Sequence, residues 1–153
     1  MAIIKELNGT TPKVGQRCFL AENAALIGDV TIGDDCSIWY GAVLRGDVNP
    51  IVLGDRVNIQ DGAVVHTLYK RSVVEIGNDV SVGHNAVIHG AKIGNNVLVG
   101  MGAVILDNAV IPDNQMQGCV HTLKRVYHKR SAEAFVKMLR DTNIIQELSG
   151  KWL

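Results

Sequence analysis

From Val14 onward an aliphatic residue recurs with a six-residue phase: Val14, Leu20, Leu26, Ile32, Ile38 and Leu44, then Leu53, Ile59 and Val65, then Ile76, Val82 and Ile88, then Ile93, Val99, Ile105 and Ile111. Every one of these positions is Val, Ile or Leu. A helix would bring apolar residues back at three- and four-residue spacing, and a hairpin sheet would alternate by twos between turns at irregular intervals. Neither holds a six-residue phase from Val14 to Ile111. A chain that turns a corner every six residues and closes a triangular coil after three hexads does hold it, because residues about 18 apart then stack roughly 4.8 Å apart as neighbouring strands. The expected architecture is mainly β: a single-stranded parallel β-helix of about five triangular coils, beginning at Val14, Ile32, Leu53, Ile76 and Ile93.

The rest of the composition fits such a solenoid. Aromatic residues make up only 5% of the chain while glycine supplies 16 residues, so no ordinary aromatic core is available. Four positions after most aliphatic residues stands a second, mostly small one, such as Cys18, Ala24, Cys36, Ala42, Ala63 or Ala86. Gly directly follows several aliphatic residues, as at Gly33, Gly54, Gly77 and Gly94, and is expected to serve tight corners there. Two steps are longer than six: Leu44 to Leu53 and Val65 to Ile76. They predict outward loops of about three and five extra residues, where a solenoid gathers binding groups. After Ile111 the period stops, and "SAEAFVKMLRDTNIIQEL" predicts a C-terminal α-helix over 131–148, with Ser131 as its N-cap and Phe135, Met138, Leu139 and Ile145 along one stripe. The chain is therefore expected to be one domain over 1–153, with the β-helix occupying 12–118.

Fifteen basic residues balance fifteen acidic ones, which argues against nucleic acid or an anionic membrane surface as partner. No segment approaches the ~18 apolar residues of a membrane span, and the N-terminus lacks a signal-peptide pattern, so a soluble cytoplasmic protein is expected. Three cysteines without a CxxC pair make neither a disulfide framework nor a cysteine zinc site. Cys18 and Cys36 should stack in adjacent coils as buried thiols.

The period also places the histidines. Arg45, His66 and His89 each follow the third aliphatic position of successive coils, so they should form one outward ladder. Asp61 and His84 come two residues after the second aliphatic position, so they should form another ladder at a different corner. His84 and His89 are then separated by roughly 16 Å of extended chain. Two imidazoles on one zinc ion need ring nitrogens no more than about 4 Å apart. His66 and His89 can meet that condition, and His84 can join them only from another copy of the chain. A head-to-tail contact of this kind closes most simply as a homotrimer. The same contact would bring Arg45 to Asp61, a charge-assisted pair that fixes register. Three neutral imidazoles on a divalent ion leave a position open for water, whose pKa zinc lowers toward about 7. Hydroxide is then available at neutral pH for a small electrophile such as carbon dioxide, and Asn58 and Gln60 are candidates for orienting water or substrate. His121 and His128 gain no such support and read as a polar tail.

"RGD" at 45–47, "NIQD" at 58–61, His66, "GHNAVIHG" at 83–90 and "GMGAVILD" at 100–107 resemble the gamma-class carbonic anhydrase family, whose members are left-handed β-helices. The resemblance implies left handedness here, and zinc, with iron or cobalt as substitutes, bound by His66, His84 and His89 at the interfaces of a homotrimer. It also implies interface pairing of Arg45 with the aspartates Asp61 and Asp47, with Gln60 and Asn58 lining the site, and reversible hydration of carbon dioxide to bicarbonate. The family archetype has a glutamate where this chain has Val48, and an acidic loop where this chain has "TLYKR". Tyr69 or buffer would then serve proton export. The alternatives are a hexapeptide acyltransferase or thioesterase acting on acyl-CoA, with one histidine as general base, and a metal-binding scaffold without substantial catalysis.

Overall fold

The structure, a computed structural model, describes residues 1–117, all of them in strands, turns and connections. The expected helix over 131–148, together with His121 and His128, lies outside the described residues. Along the chain run β1 (Ile3–Lys5), β2 (Lys13–Val14), β3 (Phe19–Leu20), β4 (Ala25–Ile32), β5 (Ser37–Ile38), β6 (Val43–Leu53), β7 (Asn58–Ile59) and β8 (Val64–His66). They continue with β9 (Val74–Ile76), β10 (Ser81–Val82), β11 (Val87–His89), β12 (Lys92–Ile93), β13 (Leu98–Val99), β14 (Val104–Ile105), β15 (Val110–Ile111) and β16 (Met116–Gln117).

All these strands pair in parallel, each with its counterpart one coil away, which makes the molecule a parallel β-helix. One face is the stack β3-β5-β7-β10-β13-β16; the other two merge into one sheet because β4 and β6 run continuously around the corner between them. The predicted aliphatic positions occupy matching rungs. Leu26, Leu44, Val65, Ile88 and Ile105 stack on the face that carries the histidines, and Ile38, Ile59, Val82 and Val99 stack on the next. All nine are buried, so the core is a column of branched aliphatics with Ala24, Ala42, Ala63 and Ala86 in its narrow corner. Packing of this kind contributes about 25 cal/mol per Å² of apolar area buried, and it forces each coil to keep the phase of the one below.

Three features depart from expectation. The three extra residues between Leu44 and Leu53 do not form a loop: β6 stays extended while its pairing jumps from Gly28↔Gly46 to Val30↔Ile51. The extra residues are absorbed as a bulge because main-chain pairing resumes on both sides. The longer insertion does open as a loop over 67–73, and Asn49 ties it down by donating from Nδ2 to the carbonyls of Leu68 (2.7 Å) and Ser72 (2.8 Å). A strand preceding the period, β1, pairs with β4, and a sixth coil begins at β15. The glycines that follow the aliphatic positions serve tight corners, as expected, and are distinct from the left-handed residues. Those lie two positions further on, at Arg17, Asp35, Arg56, Asp79, Asn96 and Asn114, with φ between 54° and 62° across the chain's non-glycine cases from Arg17 onward. Arg17 with Asp35 and Arg56 with Asp79 close two-point ion pairs between the stacked corners.

The glycines are instead demanded by close approach. The carboxamide of Asn78 accepts from the amide of Asp55 (2.7 Å), and the same arrangement repeats with Asp34 on Gln16, Asp55 on Asp34, Asn95 on Asn78 and Asp113 on Asn95. This ladder of side-chain oxygens lies across the preceding glycine. A Cβ on Gly54 would strike the Asn78 oxygen and come within 2.9 Å of the Gly77 carbonyl carbon. Gly54→Ala should therefore cost about 1–3 kcal/mol, as overpacking does, and lower the thermal midpoint by several degrees. Exposed Glu22→Ala should stay within about 0.5 kcal/mol of the parent; equal midpoints for the two variants in circular-dichroism melts would refute the close-approach account.

Among the described residues no helix is long and apolar enough to cross a membrane. Cys18 and Cys36 occupy adjacent coils as free thiols, and each Sγ lies against a backbone carbonyl, that of Gly33 (3.1 Å) and that of Gly54 (3.2 Å). The hydrogen bond with Cys18, and after it burial, push the Cys36 thiol far above its ordinary range.

Candidate metal centre

Parallel pairing without slippage puts Arg45, His66 and His89 on one outward ladder, with Arg45↔His66 and His66↔His89 as direct register partners. The two imidazoles cross edge to face with centroids 5.1 Å apart. Nδ1 of His66 lies 3.1 Å from Nε2 of His89. Two nitrogens held about 2.1 Å from a tetrahedral zinc would sit roughly 3.4 Å apart, so the pair is close to ligand spacing.

The far side of each ring decides its tautomer. Nε2 of His66 lies 2.9 Å from Oδ1 of Asp47, and Nδ1 of His89 lies 2.9 Å from Oδ2 of Asp107. An ionised carboxylate only accepts hydrogen bonds, so each of these nitrogens carries the proton of its neutral ring. Both carboxylates are ionised at neutral pH. Burial pushes Asp47 up, but its hydrogen bond to His66 and the charge of Arg45 outweigh this and hold it below the ordinary carboxylate range. Asp107 is held below that range first by the Ser72 hydroxyl and then by His89, against the cost of burial. With both rings neutral, the two nitrogens that face each other, 3.1 Å apart, both present lone pairs. A proton shared between them or a metal cation removes the repulsion, and neutral imidazoles each backed by a carboxylate form a common donor set for a divalent transition ion.

His84 sits where the period puts it, on the turn between β10 and β11, at a corner away from the other two. Its Nδ1 lies 3.0 Å from Oδ2 of Asp61, one coil below, which leaves Nε2 directed elsewhere. All three predicted ligands therefore carry an aspartate on one nitrogen. Among the described residues, no three His, Cys, Asp or Glu side chains of a single chain converge to hold a metal. The predicted partners Arg45 and Asp61 are engaged within the chain, Arg45 with Asp47 (2.5 Å) and Asp61 with His84.

The other predicted site residues are distributed differently. Asn58 and Gln60 stand on the neighbouring face, 6% and 8% exposed. Asn58 accepts from the Ser37 hydroxyl (2.9 Å) and donates to Ser81 Oγ (3.2 Å), while Gln60 donates to the same Ser81 oxygen (3.4 Å). Asn58 thus spends both ends of its amide on the fold. Tyr69 is exposed on the loop over 67–73, its ring beneath the Lys70 ammonium, and it makes no hydrogen bond among the described residues. Asp107 and Ser72 were not singled out by sequence reasoning. The available signal was the step from Ile88 to Ile93, five residues instead of six, which marks a corner drawn in at Gly90.

A stack of hexapeptide coils with histidine–aspartate pairs on one face and one corner defines the class: a hexapeptide-repeat β-helix. The family model for bacterial transferase hexapeptides (six repeats) matches residues 11–46 and 73–107 and leaves out the stretch that holds both insertions. The chain is 42% identical over 109 residues to a carbonic anhydrase of Geobacillus kaustophilus, covering 71% of this chain and 59% of that protein. It is 41% identical over 147 residues to the mitochondrial gamma carbonic anhydrase 2 of Arabidopsis thaliana, covering 88% and 53% respectively. A crystal structure of a hexapeptide transferase family protein from Anaplasma phagocytophilum superposes with a TM-score of 0.61 at 28% identity, over 91% of this chain and 97% of that one. The chain thus spans between about half and three fifths of the length of these curated relatives. It belongs to the gamma carbonic anhydrase family.

The depressed carboxylates yield a pH dependence with a definite sign. A carboxyl held below its unfolded value, near 3.9 for aspartate, contributes stability above that value and loses it as pH falls through the folded one. Asp107→Asn should melt below the parent at pH 6, and the gap should close as pH falls below the unfolded value and through the lower folded one. A gap that persists unchanged in melts across that range would show that Asp107 acts by shape alone.

Proposed function

We propose that the protein is a metal-dependent carbonic anhydrase acting as a homotrimer, reversibly hydrating carbon dioxide to bicarbonate. One observation carries this reading: two facing imidazole nitrogens 3.1 Å apart, each on a ring whose opposite nitrogen meets a carboxylate. His66 and His89 of one subunit and His84 of the next hold the ion, which is zinc or, by its nitrogen donors, iron or cobalt. When bound there, such an ion would supply Lewis acidity, lowering the pKa of water toward about 7.

The chain's own residues do the remaining work. Asp47, Asp61 and Asp107 keep a proton on one nitrogen of each histidine, so the other nitrogen is always a donor to the metal. Arg45 neutralises Asp47 and reaches across the interface toward Asp61 of the neighbouring copy, registering the two halves of the site. Gln60, one residue before Asp61 and beside the His84 corner, positions water or substrate; Tyr69 and buffer accept protons in place of the glutamates absent at Val48 and in the 67–73 loop. The names of the curated relatives support the reaction, and the imidazole donor set favours it over an acyl transfer that would use a single histidine as base.

The purified protein should carry about one divalent ion per chain. His84→Ala should lose both the ion and at least about 100-fold in stopped-flow carbon dioxide hydration, because the open site is then short of a ligand; undiminished hydration in that variant would sink the reading. Arg45→Asp and Asp61→Arg should each shift the sedimenting species from trimer to monomer, and the double variant should restore the trimer. Absence of rescue in analytical ultracentrifugation would exclude the cross-interface pair.

A further inference from the structure

The loop over 67–73 is the longest interruption of the period, and its buried hydroxyl leads directly to the metal centre. Ser72 is 6% exposed. Its Oγ accepts from the amide of Leu68 (3.0 Å) and donates to Oδ1 of Asp107 (2.5 Å), whose other oxygen takes the Nδ1 proton of His89 at 2.9 Å. With its acceptor role filled by a backbone amide, the Ser72 hydroxyl has one direction left in which to donate, and that direction is Asp107. Asn49, in the bulge of β6, clamps the loop by bonding the carbonyls of both Leu68 and Ser72. Gly90, at φ +62°, leaves the space: a Cβ there would overlap both the Ser72 hydroxyl and the Asp107 carboxylate. Both breaks of the period, the bulge and the loop, therefore converge on one hydrogen-bonded chain that ends at a ring nitrogen.

From this geometry we propose that Ser72 is a positioning residue for the metal centre. It orients the Asp107 carboxylate, which holds the proton on His89 Nδ1 and presents Nε2 as the donor. Two of the three histidines reach an aspartate without such help: Asp47 sits on the same strand as Arg45, and Asp61 stacks one coil below His84. Asp107 follows the corner next to Gly90 and has no neighbouring cation among the described residues to hold it, so the hydroxyl replaces one. The role of Ser72 concerns the tautomer of His89 in the metal-free protein as well as affinity for the ion, and only the second of these rests on the proposed metal-dependent function.

The test uses the full chain in two measurements. Competition titration of zinc against a chromophoric chelator should show affinity about 10-fold weaker in Ser72→Ala, the lower end of the range for losing an outer-shell partner, and near-parental affinity in Ser72→Thr, which restores the hydroxyl. Nitrogen-15 NMR of the metal-free protein at pH 7.5 should show His89 protonated at Nδ1 in the parent and in Ser72→Thr, and a tautomer mixture in Ser72→Ala. An unchanged tautomer and unchanged affinity in Ser72→Ala would overturn the proposal. If zinc fails to bind the parent, the metal-dependent function falls while the tautomer shift in Ser72→Ala still upholds the positioning role. If Ser72→Ala does not fold, Asp107→Asn, which keeps the shape and weakens the acceptor, must show the same tautomer mixture for the proposal to stand.

Discussion

Everything in this molecule depends on parallel pairing between a strand and the one a coil later. That pairing carries no register freedom, because a one-residue slip would turn each column of Leu, Ile and Val outward and bring polar residues into a core without partners for them. The consequence is a lattice in which sequence separation converts directly into position. Residues a coil apart lie one strand spacing apart on the same face, so His66 and His89 meet although 23 positions separate them. The side-chain oxygen ladder from Asp34 to Asp113 and the aliphatic columns follow from the same constraint.

On such a lattice a functional site is made by interrupting the repeat. The three-residue bulge in β6 brings Asp47 to His66, the 67–73 loop brings Ser72 to Asp107, and the short step at Gly90 makes room for both. Each interruption adds a charged or hydroxyl group beside a ring that the uninterrupted repeat already places. The energetic logic is that of any buried polar chain: fully satisfied it orients its members, and left incomplete it costs more than an apolar core would. This is why the carboxylates of Asp47 and Asp107 point toward the imidazoles.

Much of this was legible in the order of residues. The six-residue phase is so regular that coil count, inward positions and the ladder of Arg45, His66 and His89 follow by counting, and so does the separation of His84 from them. The helix expected over 131–148 lies beyond the described residues. Counting misled wherever an interruption had to be assigned a shape. The extra residues after Leu44 stayed in the sheet because hydrogen bonds on both sides of them were worth keeping.

The division between sequence and tertiary structure follows from range. By itself the sequence determined the fold, the column of the core and which histidines share a face, since each of these repeats at a fixed interval and needs only the spacing between like residues. Which nitrogen of each ring is free was decided only in three dimensions. It depends on Asp47, Asp107 and Ser72, which belong to no repeat and reach the histidines through a bulge, a corner and a loop whose paths are set by the contacts they make.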